Sequence, residues 1–206
     1  EPFETVEVAH ALTVAKAEGY TVPTDMYQRV MAYIADIESY IPSTYSESAR
    51  DTIRAYALWV RALAGSGDPA KAAAMYADRK DELGLDALAW LWTAVGDTAV
   101  KTEIATTISN RAVETAAGAN FTTAYDDGSY LVMQSDRRTD GIVLDALIAN
   151  DPQNDLIPKV VNGLLANKVK GRWDNIQDNT FILLALKHYF DVYESQTPDF
   201  VAKVWL

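Results

Sequence analysis

Two kinds of helical segment alternate along this chain. Some are amphipathic, and in one of them Val30, Ile34 and Ile37 form an apolar stripe opposite charged side chains. Others, such as "LDALAWLWTAVG" and "FILLAL", are apolar on most faces and must be surrounded by other elements. Two concentric layers of helices satisfy both requirements, because inner helices contact neighbours all round while outer helices keep one face in water. The alternation therefore predicts an all-α fold, an α/α toroid.

The apolar segments also resemble one another loosely. Small and large apolar residues recur at helical spacing in "VEVAHALTVAKAEGY", "RDTIRAYALWVRALAG", "LDALAWLWTAVGD", "RTDGIVLDALIAND" and "QDNTFILLALKHYF". Such segments start roughly 35 to 55 residues apart, which is the length of a helical hairpin with its loops. The spacing predicts helical hairpins arranged around an axis.

The helical pattern is interrupted at one place and ends at another. "ANFTTAYDDGSYLVM" is rich in Thr, Tyr and Phe, and its Asp127-Gly128 pair predicts a β-hairpin near residues 119–134. After Pro198 apolar and polar residues alternate, which predicts a β-strand. We therefore expect an α/α-toroid domain over residues 1–197 and the start of a β-rich domain over residues 198–206.

Composition excludes several classes of function. The formal net charge of -11 would repel a phosphate backbone, so we expect no nucleic-acid partner. No apolar run is long enough to span a bilayer, so we expect no membrane insertion of this segment. The chain has no Cys, which excludes disulfides, thiolate zinc sites and Cys nucleophiles. We expect neither a metal nor another cofactor.

The segment "GRWDNIQDN" combines a Trp, a Gln and two acids directly before an apolar run. Asp174, Gln177 and Asp178 could belong to a glycosidase-type site, in which paired carboxylates flank a cleft. Helix capping explains the same pattern, with Asn175 as the N-cap and Asp178 as the residue that reaches back to it. Acidic residues in a first turn also suit the helix dipole. Capping is the favoured interpretation.

Two further groups of charged residues are explained by local structure. Asp126 and Asp127 could ligate calcium or act in catalysis, but Asp-Gly is an ordinary hairpin turn. The start of the next helix could bind an anion, although a solvated, internally paired first turn is the more ordinary arrangement. The charged residues of that helix start are Asp136, Arg137, Arg138 and Asp140.

The histidines and tryptophans are expected to be structural. His188 could be a general base, but no Ser, Thr or acid lies near enough in sequence to form a nucleophile pair. His10 lies on an apolar helix face. We expect Trp173 to pack its loop against the barrel and "FILLAL" to form part of the inner wall. The tryptophans assigned to the core are Trp59, Trp90, Trp92, Trp173 and Trp205. No catalytic, cofactor-binding or metal-binding residue is assigned.

The segment "GRWDNIQDNTFILLALKHY" resembles a signature of bacterial α2-macroglobulin-like proteins, at the end of their thioester-type α/α-toroid domain. The family pattern is a "GxWxxTQENxxALLAL" turn and helix that leads to a Tyr. Here Ile176 replaces the usual Thr and Asp178 the usual Glu. The matching residues are Gly171, Trp173, Gln177, Asn179, Leu183, Leu184, Ala185, Leu186 and Tyr189.

Two other segments extend this resemblance over nearly the whole chain. "VEVAHALTVAKAEGYTVP" is similar to the family's hairpin of "ALxxAxxxGYxVP" type, and "ESQTPDFVAKVWL" is similar to its passage into a β-rich domain. The resemblance implies a partial helical barrel of the terpenoid-cyclase type in a periplasmic or cell-envelope protein. It also implies protease trapping, in which a protease cuts a bait region and the large protein changes shape around it. The partners would be the target protease and the other domains of the parent protein.

The chemistry of many family members is missing from this sequence. They carry a thioester between the Cys and Gln of a Cys-x-Glu-Gln motif, which acylates the trapped protease. Without Cys this chain cannot form that thioester, and it contains no bait region. It begins "EPFETVEVAH", without an initiator Met, and we expect an excised fragment. The resemblance thus predicts a non-enzymatic scaffold whose interdomain surfaces help to hold the thioester region in the resting state.

An α/α-barrel enzyme is the alternative: a glycosidase, a polysaccharide lyase or a relative of the terpene cyclases. The Trp and Gln before the last helix distantly resemble the Gln-Trp repeats of terpene cyclases, but "YDDGSY" is a poor match to their acidic motif. Glycosidases need two carboxyl groups about 5–10 Å apart at a cleft. The enzyme interpretation would gain support if Asp126 or Asp127 faced Asp174 or Asp178 in this way.

Overall fold

The computed structural model describes residues 1–195, and this part of the chain is mostly helical. Within it lie nine α-helices and one antiparallel pair of strands. Short 3-10 turns lie at Ile37–Ser39 and Ser129–Val132, and the π-helical turn Phe190–Glu194 extends the last helix. The helices are α1 (Pro2–Ala17), α2 (Thr24–Ala35), α3 (Glu47–Leu63), α4 (Pro69–Arg79), α5 (Leu85–Ala94), α6 (Thr98–Asn110), α7 (Asp136–Asn150), α8 (Leu156–Ala166) and α9 (Ile176–Tyr189).

Local sequence determines many of the helix ends. Gly19 and Gly65 follow α1 and α3 with φ of +83° and +74°, a conformation that glycine adopts without a Cβ penalty. Several helices begin at a residue whose side-chain oxygen accepts a hydrogen bond from a first-turn N–H. These N-cap residues are Ser46, Asp68, Asp97, Ser135 and Asn175.

The helices form two layers. α1, α3, α5, α7 and α9 pack side by side in that order, and α3, α5 and α7 bury residues on nearly all of their faces. α2, α4, α6 and α8 lie outside them, and each buries a narrower set of side chains. This arrangement confirms the predicted α/α-toroid fold. Fully buried residues of the core include Val6, Ile53, Leu88, Leu144 and Ile182.

Neighbouring inner helices run in the same direction. Asp86 near the start of α5 contacts Arg138 near the start of α7, with 3.3 Å between carboxylate and guanidinium. Asn150 at the end of α7 donates a hydrogen bond to Thr93 near the end of α5. Contacts at matching ends make α5 and α7 parallel, so the outer helix between them returns the chain to its starting side.

The β-hairpin lies earlier in the chain than predicted. Its strands are β1 (Ala112–Thr115) and β2 (Gly118–Phe121), so only β2 overlaps the predicted region 119–134. β2 packs on α8, and the N–H of Phe121 donates to the carboxylate of Asp140 at 2.7 Å. These contacts with α7 and α8 fix the position of the hairpin.

The predicted hairpin turn at Asp127-Gly128 was wrong. The carboxylate of Asp126 accepts a hydrogen bond from the N–H of Gly128 at 2.9 Å, and a 3-10 turn at Ser129–Val132 follows instead of a strand. An Asp side chain that binds backbone two residues ahead stabilises a local turn whether or not strands flank it. The Asp-Gly pattern therefore marked a turn correctly but not a hairpin.

The C-terminal strand, membrane insertion and the burial of the tryptophans were also predicted from the sequence. The predicted strand at residues 198–206 and Trp205 lie outside the described residues, so the boundary after residue 197 stays a prediction. Within residues 1–195, no helix combines the length and apolar character needed to cross a bilayer. The other tryptophans are buried as predicted, namely Trp59, Trp90, Trp92 and Trp173.

Candidate functional site

The turn before α9 is a helix cap that is packed against the barrel. The side-chain oxygen of Asn175 accepts a hydrogen bond from the N–H of Asp178 at 2.9 Å, which confirms Asn175 as the N-cap. Trp173 is buried, and its indole N–H donates to the carbonyl of Leu164 in α8 at 2.9 Å. The side chain of Asn179 binds back to the carbonyl of Trp173 at 3.0 Å. The predicted packing of this loop by Trp173 is therefore confirmed.

The predicted capping role of the Asp178 side chain was wrong. Its carboxylate is buried and accepts a hydrogen bond from the hydroxyl of Ser135, the N-cap of α7. Ser135 thus caps α7 and also contacts α9. The carboxylate that was expected to reach back along its own helix instead joins two inner helices.

Arg138 lies at the centre of a buried polar cluster. Its side chain is 0% exposed, and its Nη1 donates to the carboxylate of Asp86 at 3.3 Å. The guanidinium carbon lies 5.5, 5.3 and 4.9 Å from the ring centres of Phe3, Trp90 and Phe181. Its Nε and Nη2 have no hydrogen-bond partner among the described residues. The aromatic rings therefore supply much of the electrostatic stabilisation of this buried cation.

The start of α7 is only partly the solvated, internally paired turn that was predicted. Arg137 and Asp140 do form an internal ion pair at 2.7 Å. Asp140 itself is buried, and burial raises the pKa of its carboxyl to about 6, against the opposing effect of the N–H of Phe121. Asp136 accepts hydrogen bonds from Thr123 and Tyr125. These side chains fix the segment after β2 and leave no free cation cluster for an anion within this helix start.

The two histidines have opposite environments. His10 is buried, a 2.9 Å hydrogen bond joins its Nδ1 to the hydroxyl of Tyr56, and burial lowers its pKa to about 4. His188 is half-buried, and Nδ1 lies 2.8 Å from the carboxylate of Asp145, which raises the pKa of His188. Sequence reasoning missed this pair because its members are 43 residues apart. The parallel packing of α7 and α9 brings them together beside a cavity of about 430 Å³.

The acids proposed for a glycosidase site do not form one. Asp178 is buried beneath Ser135, and the carboxylate of Asp126 is engaged with a backbone N–H of its own turn. Asp127 and Asp174 are exposed. None of these four residues lines the cavity beside His188 or the groove between α1 and α9. The spatial arrangement that would have favoured an α/α-barrel hydrolase is absent from these residues.

A groove of about 690 Å³ runs between the first and last inner helices. Its floor contains His10, Tyr56 and Phe181, and an ion pair between Glu18 and Lys187 spans one end at 3.0 Å. We call it the α1–α9 groove. Side chains of its two walls are Ala11, Val14 and Ala15 from α1 and Thr180, Leu183 and Leu184 from α9.

Solved structures of bacterial α2-macroglobulins share this fold. The chain matches Salmonella α2-macroglobulin reacted with methylamine with a TM-score of 0.74 and 20% identity, over 91% of this chain and 12% of that one. The segment of native Escherichia coli α2-macroglobulin from domain MG7 to the C-terminus gives a TM-score of 0.72 and 20% identity, over 93% and 30%. The chain has the fold of part of a bacterial α2-macroglobulin. It spans less than a third of the length of either solved chain.

Other comparisons add less. The Escherichia coli α2-macroglobulin activated by porcine elastase gives a TM-score of 0.70 at 20% identity, over 93% of this chain and 17% of that one. A Dictyostelium discoideum protein described as circularly permutated Ras protein 2 is 32% identical over 131 residues, which are 60% of this chain and 3% of that protein. No family model matches the chain. The sequence signature and the solved structures thus agree on the fold.

Proposed function

We propose that this chain is a structural and interaction domain of a bacterial α2-macroglobulin-like protease inhibitor. The observation that carries the proposal is the likeness of its whole described fold to one part of such proteins, whose sequence signature it also resembles. The proposed partners are the other domains of that protein and, through it, a target protease. The proposed location is the periplasm or the cell envelope.

In this proposal the chain contributes scaffold and surface rather than covalent chemistry. It has no Cys, so the thiol of a thioester would have to come from another part of the polypeptide. Its buried polar groups, such as Arg138 and Asp178, contact other parts of the ring and are not available to a substrate. Among the open cavities of the described residues, the α1–α9 groove has exposed apolar walls that suit contact with another protein segment.

The test uses the complete natural polypeptide that carries this sequence. It is incubated with trypsin or elastase and, as a control, with the same protease inactivated at its catalytic serine. We expect cleavage, compaction by small-angle scattering, and co-elution of the active protease with the cleaved protein. Activity on casein should fall while activity on a small peptide substrate persists. Digestion without compaction or retention of the protease would refute the proposal.

A further inference from the structure

One seam of the inner ring has no helix over it. α2 packs on α1 and α3, and α4 lies on α5 and reaches α3 through the ion pair of Arg79 with Asp51. α6 packs on α5 and reaches α7 through Lys101 and Asn150, and α8 packs on α7 and receives the indole of Trp173 before α9. Within residues 1–195, the seam between α9 and α1 has no such cover. The α1–α9 groove occupies this position.

The walls of this groove carry apolar side chains that meet solvent. Leu183 is 57% exposed although it belongs to an inner helix, and Tyr20 at the groove's edge is 71% exposed. Ala11 and Ala15 lie four residues apart on the facing wall, where small side chains allow another backbone to approach. The inner helices α3, α5 and α7 bury the equivalent surface under an outer helix. On α1 and α9 the same surface has no outer helix over it within residues 1–195.

Polar groups at one end of the groove specify the charge of a partner. The Oε1 atom of Gln177 is buried and accepts no hydrogen bond from the described residues. Beside it lies Glu7, whose pKa is raised by burial although the Gln177 side chain acts against this through a hydrogen bond. Glu4 lies one turn before Glu7 on α1, whereas Glu18 at the other end is already paired with Lys187. An Arg or Lys side chain would supply the missing donors and compensate the half-buried carboxylate.

We propose that the α1–α9 groove binds one amphipathic helix with small aliphatic side chains on its inner face and an Arg or Lys beside Glu7 and Gln177. This inference rests on the proposed function only in taking the helix from another segment of a larger protein. The solved proteins with this fold are longer, because the chain spans 12 to 30% of their length, and further segments of such a protein are the source that we consider. A second copy is a poorer occupant, since it would bring an equally acidic rim and a net charge of -11.

The absence of Cys permits a site-specific test on the full 206-residue chain. Leu183→Cys is labelled with a polarity-sensitive fluorophore and titrated with a helical peptide that has an Ala/Leu face and an Arg/Lys flank. We expect a saturable blue shift. The control is Val113→Cys on β1, a similarly exposed apolar position away from the groove, and its label should not respond. A peptide with Glu in place of Arg and Lys should bind at least about tenfold more weakly.

Variants separate the apolar from the polar contribution. Leu183→Glu places a charge in the interface, and Glu7→Gln removes the carboxylate; each should weaken binding of the basic peptide about tenfold in anisotropy titrations. Val113→Glu should leave it unchanged. Circular dichroism melting curves check that each variant is folded. If Leu183→Glu does not fold, Glu7→Gln still tests the inference, because it keeps the shape of the side chain and removes only the charge.

Several results would overturn the inference. They are equal binding of the basic and acidic peptides, unaltered affinity in both groove variants, or sedimentation showing that a second copy occupies the groove. The protease-retention assay on the natural polypeptide does not depend on these titrations. Failure of one experiment is therefore distinguishable from failure of the other.

Discussion

At the scale of single residues, Arg138 is under the strongest constraint. It is a fully buried cation with one carboxylate partner, Asp86, and a surrounding of aromatic rings. Gln134 also donates to Asp86 at 3.1 Å, so the carboxylate depends on two partners. Desolvation of both charges offsets much of their attraction, and removal of one charge leaves the other uncompensated.

Replacement of Arg138 should therefore be severe. We expect Arg138→Ala to lower the free energy of unfolding by about 3–5 kcal/mol, because Asp86 loses its charge partner and three rings lose a packing surface. Urea unfolding followed by circular dichroism measures this. Arg29→Ala is the control, since Arg29 and Asp25 form an ion pair with both side chains 77% exposed, and it should cost less than about 1 kcal/mol. Equal losses in the two variants would contradict this account.

His10 should make stability depend on pH. Its folded pKa of about 4 lies below its ordinary value of 6.5, so the unfolded chain binds the proton first as the pH falls. The contribution is complete above pH 6.5 and is lost progressively towards pH 4, by about 2 kcal/mol at pH 5. His188 has the opposite sign, because Asp145 raises its pKa. The free energy of unfolding of the wild type and of His10→Gln is compared between pH 8 and 5, because both proteins contain His188 and its contribution cancels. Parallel curves of stability against pH would contradict the lowered pKa of His10.

Some of these residues could be interpreted from sequence and some could not. Asn175 as an N-cap follows from contacts within one turn, which a sequence window contains. Arg138 and Asp86 are 52 residues apart, and nothing local to either indicates the other. Asp178 is a second example. Its local pattern predicted a capping box, but its carboxylate accepts a hydrogen bond from Ser135, which is 43 residues away. The packing of neighbouring inner helices brings these pairs of residues together.

At the scale of elements, the start of α9 depends on one amide side chain. Asn175→Ala removes the acceptor for the N–H of Asp178 and should lower the free energy of unfolding by about 1 kcal/mol. Thermal or urea unfolding measures the loss. The neighbouring exposed Asp174 makes no such contact in the described residues, so Asp174→Ala should change stability by less than about 0.5 kcal/mol. A larger loss in Asp174→Ala than in Asn175→Ala would reverse our assignment of the cap.

The contact between β2 and α8 requires glycine within a helix. A Cβ on Gly163 would lie 2.3 Å from the carbonyl oxygen of Ala119, a backbone atom that cannot move alone. Gly→Ala inside a helix ordinarily stabilises by about 0.5–1 kcal/mol, but here we expect a loss of about 1–3 kcal/mol from overpacking. The control is Gly96→Ala, whose Cβ would meet only Pro69 at 3.4 Å. Chemical denaturation compares them, and a stabilised Gly163→Ala would show that the hairpin is not packed this closely.

The hairpin also shows why element type was easier to predict than position. Thr, Tyr and Phe enrichment predicted extended structure near residues 119–134, but only residues 119–121 of that region lie in a strand. The hairpin was placed at Asp127-Gly128 because an Asp-Gly pair is a strong local signal for a hairpin turn. The strands instead formed where β2 could contact α8 and where Asp140 could accept from Phe121. Neither contact is visible in a short sequence window.

At the scale of the whole molecule, the alternation of helix types was sufficient to predict the two layers. It could not show where the ring lacks an outer helix. α1 and α9 have apolar residues on most faces in sequence, as the inner helices α5 and α7 do. The packing order shows that, within residues 1–195, the facing flanks of α1 and α9 line a groove instead of packing closely on each other. Sequence thus predicted the ring, and the structure located its open seam.

Unequal packing around the ring should produce unequal local stability. α5 and α7 contact inner neighbours on both sides, whereas the outward flanks of α1 and α9 line the groove. Opening free energies follow the apolar contact that each element buries. We therefore expect native-state hydrogen exchange, followed by mass spectrometry, to be slowest in Leu85–Ala94 and Asp136–Asn150 and faster in Pro2–Ala17.

A bound helix should change this order in a defined way. The basic amphipathic peptide should slow exchange in α1 and α9, because it covers their exposed flanks, and should leave α4 and α6 unaffected on the opposite part of the ring. Leu183→Glu should abolish the added protection without altering α5. Protection of α1 that equals that of α5 in the free chain would mean that the seam is already closed, and the groove would then have no need of a partner.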